Sequence, residues 1–154
     1  MIAGLAASLA LAADIVVAGR SARFALPFGR IGLIPDGGVT WSLPRLVGQA
    51  RASAMVLTGE PVSAPDAAAW GLIWKCVEDE ALEAEVERLC AGLAVQSAAA
   101  LAASKQALRA SWNHTFGQQL DHERIVQQIR GNSADYREGV TAFLEKRPPR
   151  FGDD

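Results

Sequence analysis

Apolar residues change their spacing several times along this chain, and each change predicts an element boundary. The opening segment MIAGLAASLALAAD carries no charge before Asp14, and its Ala/Leu spacing predicts a buried helix from Gly4 to about Ala12. The β-branched run Ile15-Val16-Val17 predicts a strand over 14–18. A Gly-Arg-Ser turn at 19–21 leads to a short extended piece around Arg23–Ala25. Two helices follow, near 40–46 and about 49–57, stopped by Gly48 and Gly59, with Thr40 the candidate cap of the first. Ser63-Ala64-Pro65-Asp66 starts another helix: Ser63 caps, Pro65 sits in the first turn and Asp66 closes a capping-box-like pair. It ends at Gly71, and Leu72–Val77 predicts a strand.

Beyond that point the spacing is helical. Leu82, Val86, Leu89 and Leu93 share one face, with Glu78, Asp79, Glu80 and Glu83 placed to favour the helix N-terminus. A helix over about 98–110 carries Lys105 and Arg109 on its polar face. The next, roughly Thr115 to Arg130, has Phe116, Leu120 and Ile129 apolar. Ser133 caps a last helix whose Tyr136, Val140, Phe143 and Leu144 form a stripe, and Pro148-Pro149 terminates it. Short strands followed by helices make the chain α/β. No repeat or low-complexity linker separates a second independent domain.

Composition narrows the function classes. With 154 residues, 50% hydrophobic and 21% charged, the chain can bury a sizeable core. A net charge of −2 and the lack of a Lys/Arg-rich run before the C-terminus give no reason to expect a nucleic-acid partner. Cys76 and Cys90 have neither CxxC spacing nor histidine neighbours, so no metal site is expected; two buried thiols are favoured over a disulfide. Ala10-Leu11-Ala12 imitates a signal-peptidase site, but no basic region precedes it and the run is too short to span a membrane. The expectation is a cytoplasmic protein with no membrane partner. His114 and His122 lie eight apart without an evident partner, which suits surface or interhelix positions, and Asp121 and Glu123 suit a solvated face.

Candidate chemistry concentrates in residues 29–48, GRIGLIPDGGVTWSLPRLVG. Ile31, Leu33 and Ile34 offer apolar walls ahead of Asp36, and Gly37-Gly38 permits positive φ or a close approach. A carboxylate at the mouth of an apolar pocket makes a proton-transfer group. Asp36 can equally be a turn residue beside two glycines.

Three collinear blocks then carry a resemblance. GLAASLALAADIVVAGRSARFALP, IGLIPDGGVTWSLPRLVGQARASAMVLTGEPVSAPDAAAWGLIWKCV and SADYREGVTAFLEKRPPRF together resemble the crotonase superfamily, the enoyl-CoA hydratase/isomerase fold. The likeness is nearest to phenylacetate-pathway ring-epoxide isomerases and Δ3,Δ2-enoyl-CoA isomerases. It implies the C-terminal part of a crotonase spiral: residues 1–77 as the end of the spiral core, 78–154 as a helical trimerisation and CoA-capping region. It also implies that the β-α part before Met1, which supplies one oxyanion-hole N–H, is missing.

The resemblance further implies an acyl-CoA thioester as substrate, no separate cofactor (CoA being part of the substrate), and a homotrimer or homohexamer. The second oxyanion donor maps to the backbone N–H of Leu5 after Gly4, at a helix start where the family usually has another glycine; a plain helix start is the alternative. Hydratases carry glutamates at the positions of Ser8 and Phe28, so hydration is disfavoured. Isomerases use a carboxylate from the loop containing Asp36, and one base suffices for a 1,3-proton shift. Phe28 and Trp41 would then wall the acyl pocket, or else be plain core. Phe143 and Lys146 would meet the CoA nucleotide of a neighbouring subunit; read without the family, Lys146 and Arg147 simply compensate a helix end. The competing reading is an inactive remnant that serves as an assembly or interaction module.

Overall fold

A computed structural model describes residues 1–152, in two compact units, Met1–Glu87 and from Arg88 onward. The first unit alternates short strands and helices. Its elements are β1 (Ile2–Ala3), α1 (Leu5–Leu11), β2 (Val17–Gly19), β3 (Arg23–Ala25), α2 (Val39–Val47), α3 (Gln49–Thr58), β4 (Val62–Ser63), α4 (Ala64–Ala69) and β5 (Lys75–Val77). A single-turn 3₁₀ helix, Phe28–Ile31, follows β3. β3 pairs parallel to β1 and antiparallel to β4, while β2 and β5 form a separate parallel pair. Phe24, Leu26, Val39 and Leu43 are fully buried, and Ala7, Leu11, Met55 and Ala67 join them in one core. That core fastens α1 and α2 to the strands.

The α5 helix (Leu82–Ala94) crosses from the first unit into the second. The second unit continues with α6 (Ala98–Ala110), α7 (Phe116–Gly131) and α8 (Ala134–Leu144). Each of these three starts on a hydroxyl cap: the side chains of Ser97, Thr115 and Ser133 accept hydrogen bonds from the N–H groups of Ala100, Gln118 and Tyr136. Thr115 and Gln118 complete a capping box. Ser97 also donates to the carboxylate of buried Asp135, tying the start of α6 to the first turn of α8. No single helix among the described residues is long and apolar enough to cross a membrane.

Several expectations are corrected. The first β-branched strand begins only at Val17, because its ladder runs no further than the three residues of β5 opposite; Ile15 is exposed. Leu72 and Ile73 are buried but are not strand: their N–H groups both bond the Ala67 carbonyl and close the end of α4. Thr40 lies inside α2, and the N-cap is Gly38 in the left-handed region. The α1 helix buries only Ala7, Ser8 and Leu11, leaving Leu5 and Leu9 exposed. Both cysteines are free thiols, but only Cys76, half-buried, packs against the core, and Cys90 is exposed rather than buried.

Candidate active site

The arrangement around Asp36 is built by two chain reversals that meet. β1 ends at Ala3, and Gly4, with φ 59°, bonds its N–H to the Ala25 carbonyl of β3 and turns the chain directly into α1. No side chain caps α1. The N–H groups of Leu5 and Ala6 belong to the first turn, where an α-helix offers no internal acceptor. On the other side, β3 runs through Pro27 into the Phe28–Ile31 turn and then the irregular stretch that reaches Asp36. The Asp36 carbonyl accepts the Val39 N–H at 3.3 Å, closing the turn that opens α2.

Gly37 is where the reversals touch. Its φ is 64°, and a Cβ built there would stand 3.0 Å from Ser8 Cβ and 3.2 Å from Leu5 Cδ1. A side chain there would crowd Ser8 and Leu5 and strain the backbone, so glycine favours the close approach of the Asp36 loop to the first turns of α1. Gly4 similarly faces Phe28, whose Cζ would be 3.9 Å from an added Cβ. Gly4, Leu5, Phe28 and the loop carrying Asp36 are therefore neighbours, although up to 32 positions separate them in the chain.

The individual side chains differ in their setting. Asp36 is exposed, and no described residue hydrogen-bonds its carboxylate. The apolar walls expected around it do not close: Ile31, Leu33 and Ile34 all project into solvent, Ile34 with 80% of its surface exposed. Nothing described in this unit covers them. Phe28 is 7% exposed and belongs to the core cluster while reaching Gly4 with its ring tip. Ser8 is 2% exposed and has its hydroxyl 3.5 Å from the Gly4 carbonyl. Trp41 is half exposed on α2, with the Arg45 guanidinium 4.2 Å above its ring.

Phe143 and Lys146 lie in the second unit, each with surroundings of its own. Phe143 is 82% exposed on α8. A cavity of about 600 Å³ lies beside it, lined by Arg130, Tyr136, Val140, Leu144 and Phe151 among others. It contains no residue of the Asp36 loop, and Asp135, the carboxylate on its wall, is committed to Ser97. Lys146 has φ 53°, the one positive φ outside glycine among the described residues. The Lys146 N–H bonds the Phe143 carbonyl and the Arg147 N–H bonds the Ala142 carbonyl, so α8 ends in a Schellman motif with lysine where glycine is usual.

One cluster escaped the sequence reading. Glu138 receives both terminal nitrogens of Arg147, at 2.6 and 3.0 Å, and the Arg150 N–H at 2.7 Å. These bonds hold the Glu138 carboxyl down at a pKa of about 2, the Arg147 guanidinium being the main cause. The nine-residue separation of Glu138 and Arg147 fits no helical period, because the chain turns back after α8. The histidines are nearer to one another than expected: the His114 and His122 rings meet edge to face at 5.6 Å, and His114 Nδ1 pairs with Gln119 at 2.9 Å. No group of three or more metal-binding side chains occurs among the described residues.

A model of the enoyl-CoA hydratase/isomerase family matches residues 2–154. The chain belongs to this family. Among similar relatives, the 1,2-epoxyphenylacetyl-CoA isomerase of Escherichia coli (strain K12) is 50% identical over 149 residues. A probable enoyl-CoA hydratase of Rhodobacter capsulatus is 51% identical over 149 residues. Each alignment covers 97% of this chain but only 57% and 58% of the respective relative, so the chain spans under three-fifths of their length. An enoyl-CoA hydratase subunit from Geobacillus kaustophilus superposes with a TM-score of 0.93 at 35% identity, covering 99% of this chain and 60% of that one. These likenesses establish the crotonase fold for this chain. Hydratases and isomerases both occur among the relatives of this enoyl-CoA hydratase/isomerase chain.

Proposed function

We propose that this chain carries the proton-transfer half of an acyl-CoA isomerase, with Asp36 as the acid/base and the Leu5 N–H as one oxyanion donor. The observation that carries the reading is the packing of Gly37 on Leu5 and Ser8, which brings the loop of the candidate base to the first turn of α1. Deprotonation next to a thioester carbonyl pushes charge onto its oxygen, and an N–H at a helix start stabilises that charge. Asp36 takes the α-proton and returns it elsewhere on the acyl chain, so that a double bond moves with no net gain or loss of atoms.

The two positions that carry glutamates in hydratases favour isomerisation here. Ser8 sits buried beneath Gly37, and Phe28 is packed in the core, so neither supplies a carboxylate to activate water. Gly4, Phe28 and Trp41 would border the acyl group, and Phe143 and Lys146 the CoA nucleotide. The substrate is an acyl-CoA thioester, no separate cofactor is needed, and the assembly is a homotrimer or homohexamer in the cytoplasm.

The test is Asp36→Asn in a chain extended to the full length of its relatives, assayed for double-bond migration and for hydration of an enoyl-CoA. Isomerisation should fall by about 10²–10⁴-fold. A loss below tenfold, or a wild-type enzyme that hydrates faster than it isomerises, removes Asp36 from the role.

A second reading has its own observation. In the second unit the apolar stripes of α7 and α8 stand exposed, Phe116, Ile129, Phe143 and Leu144 among them. A non-catalytic assembly module would use such faces and leave Asp36 idle. Micromolar binding of a CoA thioester by the isolated chain in calorimetry counts against this alternative.

A further inference from the structure

The turn after α8 holds a lysine in a conformation that lysine disfavours. Non-glycine residues persist in the left-handed region where their surroundings over-determine them, and such positions cluster at functional sites. Here the over-determination is visible. The Lys146 and Arg147 N–H groups are bonded back to Phe143 and Ala142, and the next residues are tied to α8 from outside the helix. Glu138, one helical turn before Ala142, grips Arg147 with both oxygens and takes the Arg150 N–H as well, so three hydrogen bonds converge on one carboxylate. Phe151 then lies 3.8 Å from where a Gly139 Cβ would be, which continues the return along the same helix.

We propose that Glu138 is a positioning residue for CoA binding: by clamping Arg147 and the Arg150 N–H, it locks the left-handed turn that presents Lys146. The inference rests on the reading above in which Lys146 meets a CoA phosphate. Glu138 itself, being an anion, makes no contact with phosphate. It acts through the backbone, and it also keeps the Arg147 guanidinium engaged while the Lys146 ammonium group stays open to the ligand. The side chain of Lys146 is exposed, and no described residue pairs with its ammonium group.

This clamp makes an expectation opposite to plain electrostatics. Glu138→Gln removes a negative charge, and long-range attraction alone would tighten binding of the polyanionic CoA. A broken clamp loosens it. The experiment is calorimetric titration of the full chain with CoA at several salt concentrations, for wild type, Glu138→Gln, Lys146→Ala and the double variant. Each single variant is expected to bind five- to tenfold more weakly and to show a flatter salt dependence, and the double variant to lose no more than the worse single. Arg147→Lys keeps the charge and loses the two-pronged grip; it should show the same loss and serves if Glu138→Gln does not fold.

Tighter or unchanged binding by Glu138→Gln, while Lys146→Ala weakens it, overturns the clamp and leaves the role of Lys146 standing. Losses that multiply in the double variant overturn it too. If Lys146→Ala binds CoA like wild type, or the wild-type chain does not bind CoA, the reading of Lys146 falls and the positioning role falls with it.

Discussion

The two units are built from helices of similar amphipathic spacing, yet they use that spacing in opposite ways. In the first, the apolar faces of α1–α4 meet strands and one another, and Val39, Leu43, Met55 and Ala67 disappear into a common core. In the second, Ala142 is the only apolar side chain among the described residues that is fully buried. Its fully buried positions otherwise are the polar pair Ser97 and Asp135, and Leu108, Phe116, Phe143 and Leu144 remain open. The first unit is thus held by burial, the second by caps, a buried hydroxyl–carboxylate bond and the Glu138 clamp. An amphipathic stripe says which face of a helix is apolar; it does not say what that face meets.

The contrast can be broken most forcefully by matched truncations. Leu43→Ala in the first core should cost about 2–5 kcal/mol in denaturant unfolding, because a buried side chain is lost and a cavity is left. Phe143→Ala should stay within about 0.5 kcal/mol. A cost above about 2 kcal/mol for Phe143→Ala would mean that its face is covered in solution, and the comparison would then describe assembly rather than two kinds of folding.

Next in size is the contact between α1 and the Asp36 loop. Gly37→Ala forces a Cβ into 3.0 Å from Ser8 at a positive φ, and should destabilise by about 1–3 kcal/mol. Gly29→Ala, with open space around it and no positive φ, is the control and should move the unfolding midpoint little. Equal effects would show that the loop does not bear on the helix.

Relief of strain in the second unit should be smaller and of opposite sign. Lys146→Gly removes the left-handed penalty and should stabilise by about 1 kcal/mol in thermal unfolding, even while it removes a cation. The smallest effect is the pH dependence of the Glu138 clamp. Its folded pKa, about 2, lies below the ordinary glutamate value of 4.5. The stabilisation is therefore fully present above about 4.5 and fades as pH falls towards 2. The difference in melting temperature between wild type and Glu138→Gln should shrink over that window; a constant difference would show that the ion pair is not what the variant removes.

How much was legible follows from range. The helix starts marked by Ser63 and Ser133 could be read because a cap and its N–H lie three residues apart, whereas the same rule misplaced the start of α2 on Thr40. The Leu72–Val77 run was legible only in its second half, which is β5, since the buried Leu72 and Ile73 that close a helix look the same in sequence as a strand. At the candidate site, Asp36 and the glycine pair were visible, as was the absence of carboxylates at positions 8 and 28. The meeting of Gly37 with Leu5 and Ser8 was not, and neither was the clamp.

By itself, then, the sequence determined the family, the order of helices and the type of every candidate side chain. Those properties are set by neighbours within a few positions or by the identities of residues. Only the tertiary structure decided that Gly37 bears on α1, that Ile34 stands in solvent, and that Lys146 is held in a left-handed turn by a carboxylate eight residues earlier. Each of those depends on where the backbone returns, and a return is fixed by packing and hydrogen bonds between segments that no local spacing encodes.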